Sequence, residues 1–489
     1  MEVALMILYG LVLTLILVYS VMQLSLVINY LKFKKGGTYK GYMEESGPGN
    51  RPKVTIQLPV FNEKYVVERL LDAVSEFDWP GDMMDIQVLD DSTDETVEIS
   101  GRKVEELRSK GFNIELLHRK DRRGFKAGAL DEGLKKAKGE FIAIFDADFI
   151  PEPDFLKRTV PHFSDQNIGV VQTKWGHINK DYSLLTRLQA FGLDAHFSVE
   201  QGGRNQGGHF INFNGTAGIW RKTTIEDAGG WEHDTLTEDL DLSYRAQMKG
   251  WRFIFLEEVE TPAELPVVMS AVKSQQFRWN KGGAENFRKM LVRLIKTPGI
   301  PLKTRIHGIF HLFNSAIFLC VLTAAVLSVP LLFVKYAHPE YHLIFNISSI
   351  FLICTLILMI FYWQSYRGKS DKFYKDLRHF FRDFVLFLST TMGLSFHNSI
   401  AVMEGYLGKK SSFIRTPKFN IVNSNQKLAE NVYVTRSLNL ITIMEGLLAL
   451  YFLFGIVSGI VIQEYGLIPF HLMLFWGFGY IFIYSLKNP

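Results

Sequence analysis

An uncharged apolar stretch near the start of the chain constrains the fold more than any other feature. Residues 3–31, VALMILYGLVLTLILVYSVMQLSLVINYL, contain no charged side chain. A membrane-spanning helix needs about 20 apolar residues, so this stretch is long enough to cross a bilayer. It is not typical of a cleaved signal peptide, because Glu2 precedes it, the run is too long and no small-residue cleavage site follows. We therefore expect a transmembrane helix within residues 1–35.

Four more apolar blocks follow much later in the 489-residue chain. They occupy residues 309–334, 342–364, 437–462 and 466–486, and they predict one transmembrane pair within 301–366 and another within 437–489. Residues 51–300 have no comparable run, which indicates one soluble insertion of the size of a large α/β domain.

Basic residues lie beside the apolar blocks and set the expected orientation. They occur at Lys32, Lys34 and Lys35, and within 367–382 and 409–418. The positive-inside rule places these segments, and with them the soluble insertion, in the cytoplasm. If the insertion and the basic segment 409–418 are both cytoplasmic, an even number of spans must separate them. The blocks at 309–334 and 342–364 supply two, which gives five spans in all.

One segment does not fit a simple span. Residues 383–407 are apolar in their first half but contain His397, Asn398 and Glu404. A span there would put the basic residues of 409–418 outside, so we expect an interfacial helix instead. Residues 367–436 are thus predicted to hold an interfacial helix and a cytoplasmic loop.

Composition excludes two classes of function. The net charge is only +4, from 54 basic and 50 acidic residues, which does not favour a nucleic-acid partner. The two cysteines, Cys320 and Cys354, both lie in apolar blocks. A disulfide framework or a cysteine metal site is therefore not expected.

Within the insertion, strand-like and helix-like patterns alternate. The strand-like runs are KVTIQLPVFNE (53–63), DIQVLDDSTDE (85–95), FNIELLHR (112–119) and EFIAIFDAD (140–148), with helical patterns at 64–77 and 95–110. This alternation is typical of a mostly parallel sheet covered on both faces, an α/β fold whose ligands bind outside the carboxyl ends of the strands.

Four acids fall at such strand ends and are expected to converge. They are Asp90, Asp91, Asp146 and Asp148. Each pair has a structural alternative: Ser92 with Glu95 fits a helix-capping box, and a lone DxD is common in loops. Two nearby carboxylates with open positions also suit Mg²⁺ or Mn²⁺, which keeps waters and is completed by substrate phosphates.

Three later motifs add other chemistry. In HRKDRRGFKAGAL (118–130), the glycines around Lys126 allow close approach of an anion, although a solvated turn would look the same. In HDTLTEDLDL (233–242), Glu238 and Asp239 begin a helix, for which a capping box of Thr235 with Glu238 is the alternative.

The third motif is SQQFRWNKGG (274–283), within a segment, 264–300, that we expect to form interfacial helices. It places Gln275, Arg278 and Trp279 on one helical face. An amide, a fixed cation and a flat ring suit a sugar or nucleotide, although such a helix could also rest on lipid headgroups.

In this order and spacing, the motifs resemble the membrane-embedded family 2 glycosyltransferases of the cellulose synthase superfamily. The likeness is greatest to the cellulose synthase-like mannan and glucomannan synthases, through QVLDDSTD, KAGAL, FDADF, FNGTAGIWR, AGGW and QQFRW. It covers residues 50–300 closely and the membrane layout more loosely. It implies a GT-A type domain at 51–263, inserted between transmembrane helices.

The resemblance also implies a role for individual residues. Asp239 would be the catalytic base, and Asp146 and Asp148 would bind Mn²⁺ or Mg²⁺. The nucleotide-sugar donor would be bound by Pro59, Asn62, Glu63, Asp90, Asp91, Lys126, Asp146, Gln275, Arg278 and Trp279. The acceptor would be bound by Asn214, Gly215, Thr216, Glu238 and Trp279. A gating loop would use Phe413, Arg415, Thr416 and Lys418, although the sequence FIRTPK (413–418) departs from the cellulose synthase motif.

The implied function is metal-dependent, inverting transfer of a hexose from a UDP-glucose or GDP-mannose type donor to a growing β-linked polysaccharide, with translocation across the membrane. A lipid acceptor, giving a glycolipid, is the main alternative. A transporter is disfavoured because charged residues within the spans are few, Glu445 being the clearest. The expected partners are the donor, the acceptor and the lipids of a plasma, inner or Golgi-type membrane, whereas protein partners stay open.

Overall fold

The computed structural model describes residues 2–36, 51–367, 373–421 and 439–487. Part of the predicted gating region, residues 422–436, lies outside the described residues, and so do residues 488 and 489.

Seven strands form one sheet between residues 54 and 263. They are β1 (Val54–Val60), β2 (Met84–Asp90), β3 (Ile114–His118), β4 (Phe141–Ile144), β5 (Ile168–His177), β6 (Gly218–Arg221) and β7 (Arg252–Ala263). Their order in the sheet is β3-β2-β1-β4-β6-β5-β7. The first four strands are parallel, as predicted. β6 runs antiparallel to both β4 and β5, so the whole sheet is mixed.

The strands bury apolar side chains on both faces of the sheet, as the sequence predicts. Along β4, Phe141 and Ala143 join one core cluster, whereas Ile142 and Ile144 join the other. Successive side chains of a strand point to opposite faces, so this alternation places one core on each side of the sheet.

Helices cover the sheet. The first helix, α1 (Glu2–Gly36), precedes the sheet. The helices between residues 54 and 263 are α2 (Val67–Ser75), α3 (Thr96–Ser109), α4 (Phe125–Lys136), α5 (Phe155–Thr159), α6 (Leu184–Ala195), α7 (Gly202–Gln206), α8 (Lys222–Asp227) and α9 (Glu238–Met248). A π-helical turn, His196–Gln201, joins α6 to α7.

The remaining helices follow the sheet. They are α10 (Met269–Lys296), α11 (Leu302–Phe313), α12 (Ile317–Ala337), α13 (His342–Ser348), α14 (Leu352–Tyr366), α15 (Phe373–Gly393), α16 (Ser395–Leu407), α17 (Leu440–Val461) and α18 (Ile468–Lys487). Within the described residues, five helical segments are long and apolar enough to cross a membrane: Glu2–Lys32, Leu302–Ala337, Pro339–Tyr366, Leu440–Val461 and Tyr465–Lys487.

The segment predicted as an interfacial helix forms α15 and α16, which meet at a bend of 50°. Together the two helices would be apolar enough for a sixth span. α15 packs against α18, and α16 packs against α10 and α12. The interfacial position of residues 383–407 stays a prediction. Because α16 contacts both α10 and α12, it links the helix that follows the sheet to one of the apolar helices.

Candidate active site

A pocket opens at the carboxyl ends of β1, β2 and β4, where the strand-end rule predicts a ligand site. Most of the predicted site residues line it: Pro59, Glu63, Asp91, Lys126, Asp146, Asp148, Asn214, Gly215, Glu238, Asp239, Gln275, Arg278, Trp279, Phe413, Arg415, Thr416 and Lys418. The fold thus brings together residues that are more than 350 positions apart in sequence.

Lysines pair with both carboxylates of the DAD motif. The Nζ of Lys126 lies 2.5 Å from Oδ1 of Asp146 and 2.8 Å from the carbonyl oxygen of Gly215. The Nζ of Lys418 lies 2.6 Å from Oδ2 of Asp148 and 2.6 Å from the carbonyl oxygen of Glu264. Burial alone would lower the pKa of Lys126, but the nearby acids, chiefly Asp146, raise it above its usual value.

The DAD carboxylates fit a hard divalent cation. Both are oxygen donors that line the same pocket, and about a third of the Asp146 side chain is accessible. Another group of carboxylates, Glu232, Asp234 and Asp241, has ligand atoms within 4.8 Å of one another. A protein cation already occupies the middle of that group, because the Nζ of Lys289 lies 2.6 to 2.7 Å from all three carboxylates.

Asp239 lies in the first turn of α9 and lines the pocket. Its Oδ1 accepts a hydrogen bond from the backbone N–H of Leu240 at 2.8 Å. Burial, together with the neighbouring Glu238, raises the pKa of Asp239 to about 7. Gly215, at φ +80°, faces this carboxylate, and a Cβ there would lie 2.9 Å from its Oδ2. A glycine at this position therefore permits both the positive φ and the close approach of the Asp239 carboxylate.

The face of α10 that carries the QQFRW residues closes one wall. Arg278 is half-buried there, and the loss of solvent lowers its pKa while Glu238, Asp146 and the other acids of the pocket oppose that shift. Its guanidinium lies 4.5 Å from the ring centroid of Phe413. The chain segment 409–421, which we call the strap, brings Phe413 to this position.

The strap crosses the pocket and contacts both of its sides. Phe413 stacks on Phe125 with ring centroids 5.9 Å apart. Arg415 pairs with Glu63 at 2.8 Å. Burial raises the pKa of Glu63 to about 8, even though Arg415 lowers it. The strap therefore places cations beside acids of two different strand ends.

Three predicted binding residues do not line the pocket. Asn62, at φ +55°, accepts a hydrogen bond from the N–H of Thr93 at 2.8 Å and so ties the end of β1 to the loop after β2. Asp90 is fully buried and accepts from the N–H of Ser92. Thr216 is also fully buried, and its hydroxyl accepts from the N–H of Asp146 at 2.8 Å. Of these three partners only Asp146 lines the pocket, whereas Asn62 and Asp90 bond to the loop that follows β2.

The capping-box alternatives are wrong. The caps of α3 and α9 are Glu95 and Thr237, and neither makes a side-chain capping bond. The hydroxyl of Ser92 instead accepts the N–H of Asn62 at 2.8 Å. Neither predicted capping box is therefore formed, although Oδ1 of Asp94 accepts the N–H of Thr96 at 2.9 Å where α3 begins.

The pocket also has lining residues that were not among the predicted site residues, including Phe61, Arg122, Trp175, His177 and Glu264. Arg122 lies in the basic run, and its guanidinium stacks 3.3 Å from the ring centroid of Phe61. Trp175 and His177 end β5, and Glu264 follows β7. The strand-end rule would have found these last three if residues 168–177 and 252–263 had been recognised as strands.

Residues 52–282 match the family model described as "Glycosyltransferase like family 2", and this match covers the sheet and most of the pocket. The chain contains a family 2 glycosyltransferase domain. Within this domain lie Asp239, the DAD motif and the QQFRW residues. The strap, which completes the pocket, comes from outside it.

Curated relatives confirm the resemblance of the glycosyltransferase domain to the glucomannan synthases. Glucomannan 4-beta-mannosyltransferase 1 of Oryza sativa subsp. japonica is 44% identical over 276 residues, which are 55% of this chain and 53% of that protein. Glucomannan 4-beta-mannosyltransferase 2 of Arabidopsis thaliana is 44% identical over 275 residues, 55% of this chain and 52% of that protein. The chain thus spans about half the length of these relatives.

A solved structure supports the fold of the glycosyltransferase domain. The mannosyltransferase PcManGT of Pyrobaculum calidifontis, in complex with GDP-Man and Mn²⁺, superposes with a TM-score of 0.54 at 21% identity. The match covers 75% of this chain and 100% of that protein. It establishes a shared GT-A like fold.

Proposed function

We propose that the chain is an inverting membrane glycosyltransferase that moves mannose from GDP-mannose to the end of a β-linked polysaccharide. The observation that carries the proposal is the single pocket in which the DAD carboxylates, Asp239 and the QQFRW residues meet. The relatives named for mannosyl transfer to glucomannan support the choice of sugar. GDP-Man in the fold relative supports the choice of nucleotide.

Cations along the pocket would bind the diphosphate of the donor. Lys126 pairs with Asp146 and Lys418 pairs with Asp148. The loss of solvent lowers the pKa of Arg278, and both acids lie near enough for their charges to oppose that shift. Asp146 and Asp148 would hold Mn²⁺ or Mg²⁺, which neutralises a diphosphate leaving group. The lysines would then give up part of their contact with the carboxylates and turn toward the phosphate oxygens.

The nucleoside would lie over β1 and β2. Asp91 is fixed there by Arg119, whose Nε donates to Oδ1 of Asp91 at 2.7 Å and whose Nη2 donates to Oδ2 at 2.5 Å. Such a two-point bond holds the carboxylate plane in one orientation. Asp91 then offers fixed acceptor atoms at the pocket wall, while Phe61 with its stacked Arg122 offers a flat surface.

Asp239 would act as the general base. Its raised pKa lies close to neutral pH, where a base combines adequate ionisation with adequate proton affinity. It would take the proton of the acceptor hydroxyl while that oxygen attacks the anomeric carbon and the nucleoside diphosphate leaves. Attack from the face opposite the leaving group inverts an α-linked donor to a β-linked product.

The acceptor would approach past the loop FNGTAG and Trp279. Asn214 is held between Gln201, at 2.6 Å, and His196, at 3.2 Å, so its amide is fixed at the pocket wall. We propose that the transfer is processive, that the catalytic domain is cytoplasmic and that the apolar helices conduct the product across the membrane.

The test is to purify the chain in lipid and supply labelled GDP-mannose or UDP-glucose with Mn²⁺ or Mg²⁺. We expect a mannose polymer of β-linked units, loss of product with excess chelator, and recovery when the ion is restored. A single sugar on a lipid at every donor concentration would reject the polymerase in favour of a glycolipid synthase. Full turnover in excess chelator would reject the metal.

A further inference from the structure

Lys281 is a fully buried lysine in the middle of α10, two residues beyond Trp279. A buried ammonium group is unfavourable unless charged or polar partners surround it. Its partners come from two other parts of the chain. The Nζ lies 3.0 Å from Oε2 of Glu404 on α16 and 2.8 Å from the hydroxyl of Ser411 in the strap.

These contacts connect three segments at one point. Glu404 also pairs with Lys409, the first residue of the strap. Gly405 lets α16 approach closely, since a Cβ there would lie 2.7 Å from the carbonyl oxygen of Lys281. α10, the end of α16 and the beginning of the strap thus meet around a single ammonium group.

The other end of the strap is anchored differently. The N–H of Phe419 donates to Oε1 of Glu264 at 2.8 Å, and Oδ1 of Asn420 accepts from Arg69 at 2.6 Å. The side chains of Phe419 and Ile421 are buried in an apolar cluster. This end is therefore held by packing as well as polar bonds, whereas the side chain of Ser411 is exposed and its hydroxyl bonds to Lys281.

We propose that Lys281 is a positioning residue that tethers the beginning of the strap to the helix carrying Gln275, Arg278 and Trp279. The tether keeps Phe413 against Arg278 and keeps Arg415 and Lys418 over the strand ends. Its consequence for donor binding rests on the proposed function, but the tether itself does not. Without it, the strap would open at Ser411 and stay attached at Phe419.

A thiol introduced by Thr416→Cys reports strap opening, because Thr416 is only 5% exposed. The native thiols are removed by Cys320→Ala and Cys354→Ala. In this background, Lys281→Met and Ser411→Ala should each raise the rate of labelling by a water-soluble maleimide about tenfold, as expected for loss of one hydrogen bond to a charged group. Ser411→Thr keeps the hydroxyl and should label like the parent.

Donor binding supplies an independent measurement. With a native Thr416, Lys281→Met and Ser411→Ala should raise the Kd for GDP and the KM for GDP-mannose about tenfold, with kcat changed less than twofold. Ser412→Ala alters the neighbouring exposed serine and is the matched control for both measurements.

The outcomes separate the two proposals. Parental labelling rates in both Lys281→Met and Ser411→Ala, or equally raised rates in Ser412→Ala, would overturn the tether. Raised labelling with unchanged nucleotide affinity would overturn its role in donor binding. If the wild-type chain bound no nucleotide sugar, the proposed function would fail, and the labelling rates would still decide whether Lys281 holds the strap.

Discussion

The two sides of the pocket are built by different forces. One side, which we call the strand-end side, consists of the loops that follow β1, β2 and β4. The other, the helical side, consists of the start of α9, the middle of α10 and the strap. The strand-end side comes from residues 54–148, whereas the helical side draws on residues 237–421.

Backbone hydrogen bonds align the strand ends of the strand-end side. Val60 pairs with Asp90 in the parallel register, and the N–H of Asp91 donates to the carbonyl oxygen of Val60 at 2.9 Å. Buried ion pairs hold the helical side. The Nζ of Lys273, also on α10, lies 2.6 Å from Oε2 of Glu445 on α17.

The difference concerns tolerance to substitution. A ladder of backbone bonds survives most changes of side chain, because its donors and acceptors are not in the side chains. A buried ion pair fails when either partner is removed, since the remaining charge has no compensation. We expect single substitutions to be more damaging on the helical side.

Asp239→Asn should give the largest effect. It removes the base but keeps the size of the side chain, so transfer should fall ~10²–10⁴-fold while GDP affinity stays within about twofold. Single-turnover kinetics and equilibrium binding provide the two measurements. Asp131→Asn, an exposed carboxylate on α4, is the control. Lost nucleotide binding, or retained turnover, would show that Asp239 has another role.

Breaking the Lys273–Glu445 pair should destabilise the helical side by about 3–5 kcal/mol. Glu445→Gln and Lys273→Met are the single changes, and thermal unfolding in detergent is the measurement. Replacing both residues, as Lys273→Met with Glu445→Leu, should restore most of the stability, because no unpaired charge remains. Lys135→Met breaks an exposed pair on α4 and should leave the midpoint unchanged. Equal effects of these changes would show that the buried pair does not stabilise the helical side.

The transfer rate should fall at acid pH. A base whose pKa is about 7 is half protonated at pH 7, so the rate should fall about fivefold between pH 7 and pH 6 and about tenfold more by pH 5. The same raised pKa reduces stability as pH rises from about 4 to 7, because the unfolded carboxyl releases its proton first. Asp239→Asn should therefore unfold at a higher temperature than the wild type at pH 7. Glu63→Gln should keep the position of the fall, and a shift with that variant would assign it to Glu63.

Asn62→Ala should give the smallest effect. It removes the bond to Thr93 and leaves a positive φ, which together should lower stability by about 1–2 kcal/mol. Because Asn62 does not line the pocket, GDP affinity should change less than twofold. Asn62→Asp keeps the acceptor oxygen and is the matched control. A tenfold loss of affinity with unchanged stability would make Asn62 a donor ligand after all.

The strand-end side was largely predictable from sequence. Asp91, Asp146 and Asp148 each follow an apolar run that is recognisable as a strand, and parallel strands bring their carboxyl ends to one edge. Thr216 shows the limit of this reasoning. A buried threonine beside a binding motif looks like a ligand in sequence, but its hydroxyl supports the backbone of Asp146.

On the helical side, spacing alone predicted that Gln275, Arg278 and Trp279 share one face, but the placement of that face in the pocket followed only from the family resemblance. The ion pairs that support this side were not predictable. The sequence contains no signal that Lys281 meets Glu404, because 123 residues separate them. Glu445 was recognised as unusual within an apolar block, yet its partner Lys273 lies 172 residues earlier. Ion pairs of this kind depend on how helices cross, and a local pattern does not encode that crossing.

The pair of Lys273 and Glu445 also has an evolutionary consequence. A lineage that loses one of the two charges has a less stable protein until the other charge is lost as well. The two residues should therefore be substituted together or not at all. Ser485, whose hydroxyl lies 3.1 Å from the same Nζ, should vary more freely because it leaves no charge behind. Among descendants of this sequence, coordinated change at residues 273 and 445 would be the inherited record of how α10 was joined to α17.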